Sequence, residues 1–438
     1  MFGSFDDALD FVYSTFLNKR NIKGGIDVAR HPEFILDLMK ILKISLPENV
    51  IVVSGSKGKG TTAVLTASAL SSQGIRVGLF TGPHLVTQTE RIRIDGKAIT
   101  KDRFLEIINE IAPYVKKMDD LLPRGTWLWA VSIWLIVGMK YFEENNIDTV
   151  VLEGGRGALF DESSAIPHRV SVLGPIFYEH YDQLGPTMDD IAKNKAGIVR
   201  DNGILVSANQ QQDVYNILID RCNLYGAKML MCDRDFTVET KEDGSFSVRT
   251  PMSLYENLRI PLYGSYQPFN AASALVAAES LLSRTIGHPY AWRNLKWPGR
   301  LQLINHNGTQ FLIDGAIAEN SVKAVSDFIA RLNTATVATI VSVSKDKDYR
   351  GVIKEAAVFS DCIIITEANN PQMHFPDDAL EYAKTVAPKK SVEFHKTLDV
   401  AISRAIELCP NSLIAILGTQ SIIGDAMKYF GINISDIY

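Results

Sequence analysis

The chain has 438 residues, which at about 100–200 residues per domain makes it a multi-domain protein. Its 45 Lys and Arg against 50 Asp and Glu leave a formal charge of −5, too mild for a surface that grips nucleic acid or anionic lipid throughout. Hydrophobic residues at 46% and charged ones at 22% exclude a disordered chain and allow a sizeable core.

The N-terminal stretch MFGSFDDALDF is acidic where a secretion signal would be basic, so a cytoplasmic protein is expected. Asn49–Ser54 is predicted as a strand, Thr61–Gln73 as a helix ending at Gly74, and Arg76–Phe80 as the next strand. Helices follow over Phe104–Lys117 and Trp127–Asn145. The apolar run Trp127–Met139 falls short of the roughly 20 residues a membrane helix needs, and no membrane partner is expected. Strands are predicted at Asp148–Leu152, Val170–Leu173 and Ile204–Ser207. This βαβα rhythm implies a mostly parallel sheet covered by helices, with ligands at the strand ends.

Asp235–Glu239 and Ser245–Arg249 alternate around the turn Asp243-Gly244, a small antiparallel insertion near 230–263. An Ala-rich helix, Phe269–Ser283, leads to the linker Trp297-Pro298-Gly299. The rhythm then restarts: strands at Phe311–Asp314, Thr339–Val343, Cys362–Thr366, Val392–Phe394 and Ser412–Leu417, helices at Ser321–Leu332, Gly351–Phe359, Pro376–Val386 and Val400–Leu408. Residues 1–297 thus form one α/β unit and 298–438 a smaller, Rossmann-like one. Cys222, Cys232, Cys362 and Cys409 lack metal-ligand spacing and are expected as reduced thiols.

The sharpest local signal is Gly55-Ser56-Lys57-Gly58-Lys59-Gly60-Thr61-Thr62, between a strand and a helix. Glycines let the backbone N–H groups wrap a phosphate at a helix N-terminus, Lys59 supplies a point charge, and Thr61 or Thr62 offers Mg²⁺ a hydroxyl. The spacing departs from the usual P-loop, since Gly60 intervenes before Thr61.

This loop resembles that of the Mur ligase superfamily, and more closely that of folylpolyglutamate and dihydrofolate synthetases. The resemblance runs in order over about residues 5–430: Gly82-Pro83-His84 and Glu90-Arg91-Ile92-Arg93, Asp190–Ile198 around Lys195, Leu262–Ala272, Pro298-Gly299-Arg300-Leu301, Asp314-Gly315-Ala316, and Ser344-Lys345-Asp346-Lys347-Asp348. It implies a P-loop ATPase domain plus a C-terminal ligase domain, a cytoplasmic monomer that uses ATP and Mg²⁺, and no nucleic-acid partner. The implied reaction joins a small carboxylic acid to the amine of an amino acid through an acyl phosphate. It assigns Glu153 and His180, with Thr61, to metal; Asn270, Arg300 and Asp314 to the nucleotide; and a CO₂-derived carbamate to Lys195, leaving Lys59, Lys195 and His180 as the catalytic set.

Four departures bear on substrate. Gly82 stands where relatives have a metal-binding serine. Gly154-Gly155-Arg156-Gly157 after Glu153 displaces an arginine, although Asp161 keeps its place. Ile317 and Ala318 replace the His and Asn that handle the incoming amino acid. Trp127, Trp129 and Trp134 replace a segment near the pteridine pocket; they are either core or a stacking face. A different acid, an internal cyclisation, a P-loop ATPase that is no ligase, and a non-catalytic homologue are the rival expectations.

Overall fold

A computed structural model describes residues 1–17, 31–122, 126–179, 181–332 and 334–438. The first unit is built on an eight-stranded sheet. Its strands are β1 (Asn49–Ser54), β2 (Val77–Phe80), β3 (Ile92–Ile94), β4 (Lys97–Ala98), β5 (Thr149–Glu153), β6 (Val170–Leu173), β7 (Ile204–Ser207) and β8 (Lys228–Met231), in the order β4-β3-β2-β5-β1-β6-β7-β8. All neighbours from β2 to β8 pair parallel; β3 and β4 close one edge antiparallel. Successive residues of β1 enter opposite cores, Val50 and Val52 on one face and Ile51 and Val53 on the other. That is why the strand reads as an unbroken apolar run: both faces are covered.

On one face lies the helix Lys59–Ser71, packed against the helix Gln267–Leu282. Both are buried nearly all round, and fully buried Ala63, Ala67, Ala271, Ala274 and Ala278 share that core. The other face carries the helices Lys101–Leu121 and Ala130–Glu144. The first begins ahead of the expected Phe104, because the Thr100 hydroxyl caps it by accepting from the Arg103 N–H. The second begins later than expected: Trp129 is extended at its N-cap, so Trp127 and Trp129 precede the helix. Trp134 is 1% exposed and stacks on Phe104 with ring centroids 4.6 Å apart, which makes it core.

The insertion is a three-stranded antiparallel sheet of β9 (Thr237–Thr240), β10 (Phe246–Arg249) and β11 (Leu254–Leu258), the last of which the sequence reading missed. The second unit has six strands: β12 (Gln302–His306), β13 (Thr309–Asp314), β14 (Val337–Ser342), β15 (Cys362–Ile365), β16 (Ser391–Phe394) and β17 (Leu413–Gly418), in the order β12-β13-β17-β14-β15-β16. Only β12 is antiparallel. All four cysteines are free thiols. Among the described residues no helix is long and apolar enough to cross a membrane.

After the helix Gln420–Tyr429 the chain returns to the first unit, although the sequence reading gave everything from 298 to 438 to the second. Arg93, 1% exposed, donates to the carbonyls of Ile434 (2.8 Å) and Ser435 (2.9 Å), and the Lys296 N–H donates to that of Ile437 at 2.8 Å. The units also meet where Gly424 faces the Leu85 carbonyl, since a Cβ there would lie 2.0 Å from that oxygen. Gly424→Ala must push backbone apart across this contact. We expect it to cost about 1–3 kcal/mol, read as an earlier urea midpoint; an unchanged midpoint contradicts the close approach.

Candidate active site

The phosphate loop leaves β1 in a conformation only glycine adopts. Gly55 has φ 136°, and a Cβ there would stand 2.8 Å from the Cα of Gly174. Gly58, with φ 80°, forms the N-cap of the helix Lys59–Ser71, and a Cβ on it would meet Asn270 Oδ1 at 2.6 Å. Asn270, from the helix Gln267–Leu282, therefore lies directly against the loop, held by its Nδ2 donating to Gln267 Oε1 at 3.0 Å. Lys59 folds back over the loop and donates to the Gly55 carbonyl at 2.9 Å. Ser56 braces the same turn, its hydroxyl accepting from the Phe177 N–H at 3.0 Å, while Lys57 stands exposed at the rim. Thr61 and Thr62 lie buried on the first helical turn.

Glu153 ends β5 beside this loop, and a Cβ on Gly60 would fall 3.1 Å from its Oε2. That oxygen accepts from the Gly82 N–H at 3.0 Å. Burial pushes the Glu153 carboxyl above the ordinary range, and the Lys59 ammonium opposes the rise. Asp161 shapes the glycine turn that follows, accepting from the N–H groups of Gly155 (2.7 Å) and Ser163 (3.0 Å). The Arg156 side chain turns away to Gln183.

Lys195, on the helix Met188–Ala196, is fully buried. Its Nζ donates to the Arg156 carbonyl (3.2 Å) and to Glu179 Oε1 (3.3 Å). Burial and then repulsion from Lys59 lower its pKa to about 8, despite Glu179. Glu179 was missed in the sequence, where the neighbouring His180 drew attention; His180 itself lies outside the described residues.

Across the crevice, Arg300 lies in the hinge with Nη1 donating to the Gly299 carbonyl at 2.7 Å. Asp314 ends β13, and its Oδ2 accepts from the Leu301 N–H at 2.8 Å. Burial raises it to about 6, with Arg300 the main opposing charge. Asp348 ties the Ser344–Asp348 loop to two helices, accepting from the N–H groups of Glu319 (3.0 Å) and Gly351 (2.9 Å). Ala318, at the N-cap of Glu319–Ile329, makes no side-chain cap.

The Gly82-Pro83 peptide bond is cis. A Cβ at Gly82 would stand 3.0 Å from Arg91 Nη1, so the arginine occupies the space a serine side chain would use. Arg91 Nε donates to His84 Nδ1 at 3.3 Å, and burial beside it holds His84 near 3, neutral at physiological pH. The walls between the units include Gly60, Gly82, His84, Glu153, Trp297 and Arg300. Arg91 and Trp297 lie in segments the sequence singles out, the Glu90–Arg93 match and the Trp297–Gly299 linker, where neither was given a role at the site.

Glycine turns with no room for a Cβ, a lysine over them and a buried acid beside them fit a nucleoside triphosphate. The Thr61 hydroxyl and Glu153 are hard oxygen donors suited to Mg²⁺. Among the described residues no three His, Cys, Asp or Glu side chains converge on a metal position.

A phosphate loop on a mostly parallel sheet, facing a second mostly parallel unit across a crevice, matches the architecture of Mur-type ligases. A model of the family described as Mur ligase, glutamate ligase domain, matches residues 299–420. Over nearly its whole length the chain is homologous to dihydrofolate and folylpolyglutamate synthases. It is 27% identical to the dihydrofolate synthase/folylpolyglutamate synthase of Bacillus subtilis across 98% of this chain and 99% of the relative. It is also 27% identical to the folylpolyglutamate synthase of Lacticaseibacillus casei, across 74% of this chain and 77% of that one. The fold matches the Mycobacterium tuberculosis folylpolyglutamate synthase complexed with ADP and AMPPCP, with TM-score 0.85 and 24% identity over 97% of this chain and 100% of the other.

The Lys195 amine sets a pH prediction. Its folded pKa of about 8 lies below the ordinary 10.5, so below about pH 8 both states hold the proton and the burial penalty stands in full. Between the two values the unfolded chain keeps the proton that the folded chain has lost, so stability rises with pH. Lys195→Met removes this rise. Urea unfolding of both proteins across that interval tests it, and parallel stability curves contradict a buried ammonium.

Proposed function

We propose that the chain is an ATP-dependent carboxylate–amine ligase that releases ADP and phosphate, joining a folate-type carboxylate to glutamate. The observation that carries this reading is the convergence of the glycine loop, Lys59, Glu153 and Lys195 in a crevice closed from the other side by Arg300 and Asp314. The loop and Lys59 would bind the phosphates, Asn270, Arg300 and Asp314 would hold the rest of the nucleotide, and Thr61 and Glu153, with His180 as the resemblance implies, would hold Mg²⁺. ATP would supply the γ-phosphoryl group, and Mg²⁺, when bound, would neutralise the charge that group carries.

The acid's carboxylate oxygen attacks the γ-phosphorus and the bond to ADP breaks, leaving an acyl phosphate. The amine nitrogen then attacks the acyl carbon, the C–O bond to phosphate breaks, and an amide forms with loss of the amine proton. Enclosure between the units protects the acyl phosphate from water. Lys195 is half neutral at about pH 8, and a neutral amine adds CO₂, giving a carbamate and a proton. The carbamate would carry a negative charge beside Lys59.

A second reading has its own support. Ile317 and Ala318 offer no side-chain hydrogen bond to an amino acid, and Arg91 fills the space beside Gly82. A site built without those groups suits another acid or amine in the same chemistry. A phosphate-release assay over folates, dihydropteroate and other polar acids, each with and without glutamate, separates the two. Release that needs both an acid and an amine is expected; AMP and pyrophosphate, or release without any acid, contradicts the ligase.

Lys59→Ala should lower kcat by about 10²–10³ with the unfolding midpoint little changed; an unaltered rate contradicts the phosphate clamp. In ¹³C-bicarbonate the wild type should show a carbamate resonance that Lys195→Met lacks, and its absence from the wild type contradicts the modification.

A further inference from the structure

The second unit holds a cavity of about 280 Å³ that the ligase chemistry does not use, just below the roughly 300 Å³ at which small-molecule sites begin. It opens at the C-terminal ends of β14, β15 and β16, where parallel sheets bind ligands. Val343, Ile353 and Ile365 give it aliphatic walls, and Tyr349, Phe375 and Phe394 give it aromatic ones.

Three polar groups break this lining. Thr366 is 1% exposed and its Oγ1 has no hydrogen-bond partner among the described residues, although its backbone N–H is spent on the Val341 carbonyl at 3.0 Å. Half-buried Glu367 and, at the mouth, exposed Asp377 also line the cavity, and among the described residues neither forms an ion pair. The neighbouring Asp378 differs: it accepts from the Tyr349 hydroxyl at 2.8 Å and pairs with Arg350 at 2.6 Å. Among the described residues that line the space there is no Lys, Arg or His; Arg350, stacked 5.7 Å from the Tyr349 ring, is neutralised by Asp378.

An anion would face two carboxylates with no cation to offset them. A purely apolar molecule would leave the Thr366 hydroxyl buried without a partner. An ammonium group on an apolar body suits these walls: it donates to Thr366, faces the two carboxylates, and lies beside the Phe375 and Phe394 rings, since the Tyr349 ring already carries Arg350. We propose that this cavity binds a small primary ammonium ion carrying an aromatic or branched apolar group, at a site separate from the crevice. The proposal is independent of the ligase reading.

Phenethylammonium is the probe, with 2-phenylethanol and 3-phenylpropionate as neutral and anionic counterparts of similar size, titrated by calorimetry into the full chain with and without ADP. The ammonium should bind, the alcohol about tenfold more weakly, and the carboxylate without saturation. The paired substitution Glu367→Gln with Asp377→Asn, conservative in size at the cavity wall, should weaken the ammonium about tenfold and leave the alcohol unchanged. Thr366→Val should weaken the ammonium without affecting crevice nucleotide binding. Equal affinity for ammonium and alcohol, preference for the carboxylate, indifference to the substitutions, displacement by ADP, or no binding of any probe would each overturn the proposal.

Discussion

The protein is organised around one close approach: the backbone after β1 lies so near Gly174 and Asn270 that neither Gly55 nor Gly58 has room for a side chain. That crowding fixes the path of the loop at the start of a buried helix, where phosphate groups are readily bound. Everything else at the crevice is set against it. Asn270 is brought there because two Ala-lined helices pack closely, and Glu153 because β5 is the parallel neighbour of β1.

Charge follows from the same geometry. Lys59 and Lys195 act on one another across the crevice floor, and burial rather than a partner lowers Lys195. Glu153 and Asp314 are both raised by burial, each partly held down by a neighbouring cation. Such an arrangement is costly in the empty protein and is relieved by a polyphosphate with its metal, so the electrostatics and the shape of the loop favour the same ligand.

Local signals in the sequence carried the alternating α/β layers and the phosphate loop, because burial on both faces leaves unbroken apolar runs and a tight phosphate turn needs glycine. What local signals missed was mostly long-range. Trp127 and Trp129 read as helix because they adjoin an apolar helical run, yet the chain is still extended there. The hairpin edges β3–β4 and β12–β13 did carry a signal: Asp95-Gly96 and Asn307-Gly308 turn with φ of 48° and 80°, and of 51° and 81°. Glu179 and the return of Ile434 and Ser435 to Arg93 depend on contacts between distant segments, which no single stretch announces. Arg91 also gives Gly82 a physical meaning, since the missing side chain leaves the space that the guanidinium fills.

The central claim is that the crevice moves the terminal phosphoryl group of ATP onto a carboxylate oxygen. Isotope transfer tests it most directly: an acid labelled with ¹⁸O in its carboxyl group is turned over, and the released inorganic phosphate is analysed by mass spectrometry. One ¹⁸O atom should pass from acid to phosphate in each turnover; label found in AMP, or phosphate released without label, would contradict acyl-phosphate formation.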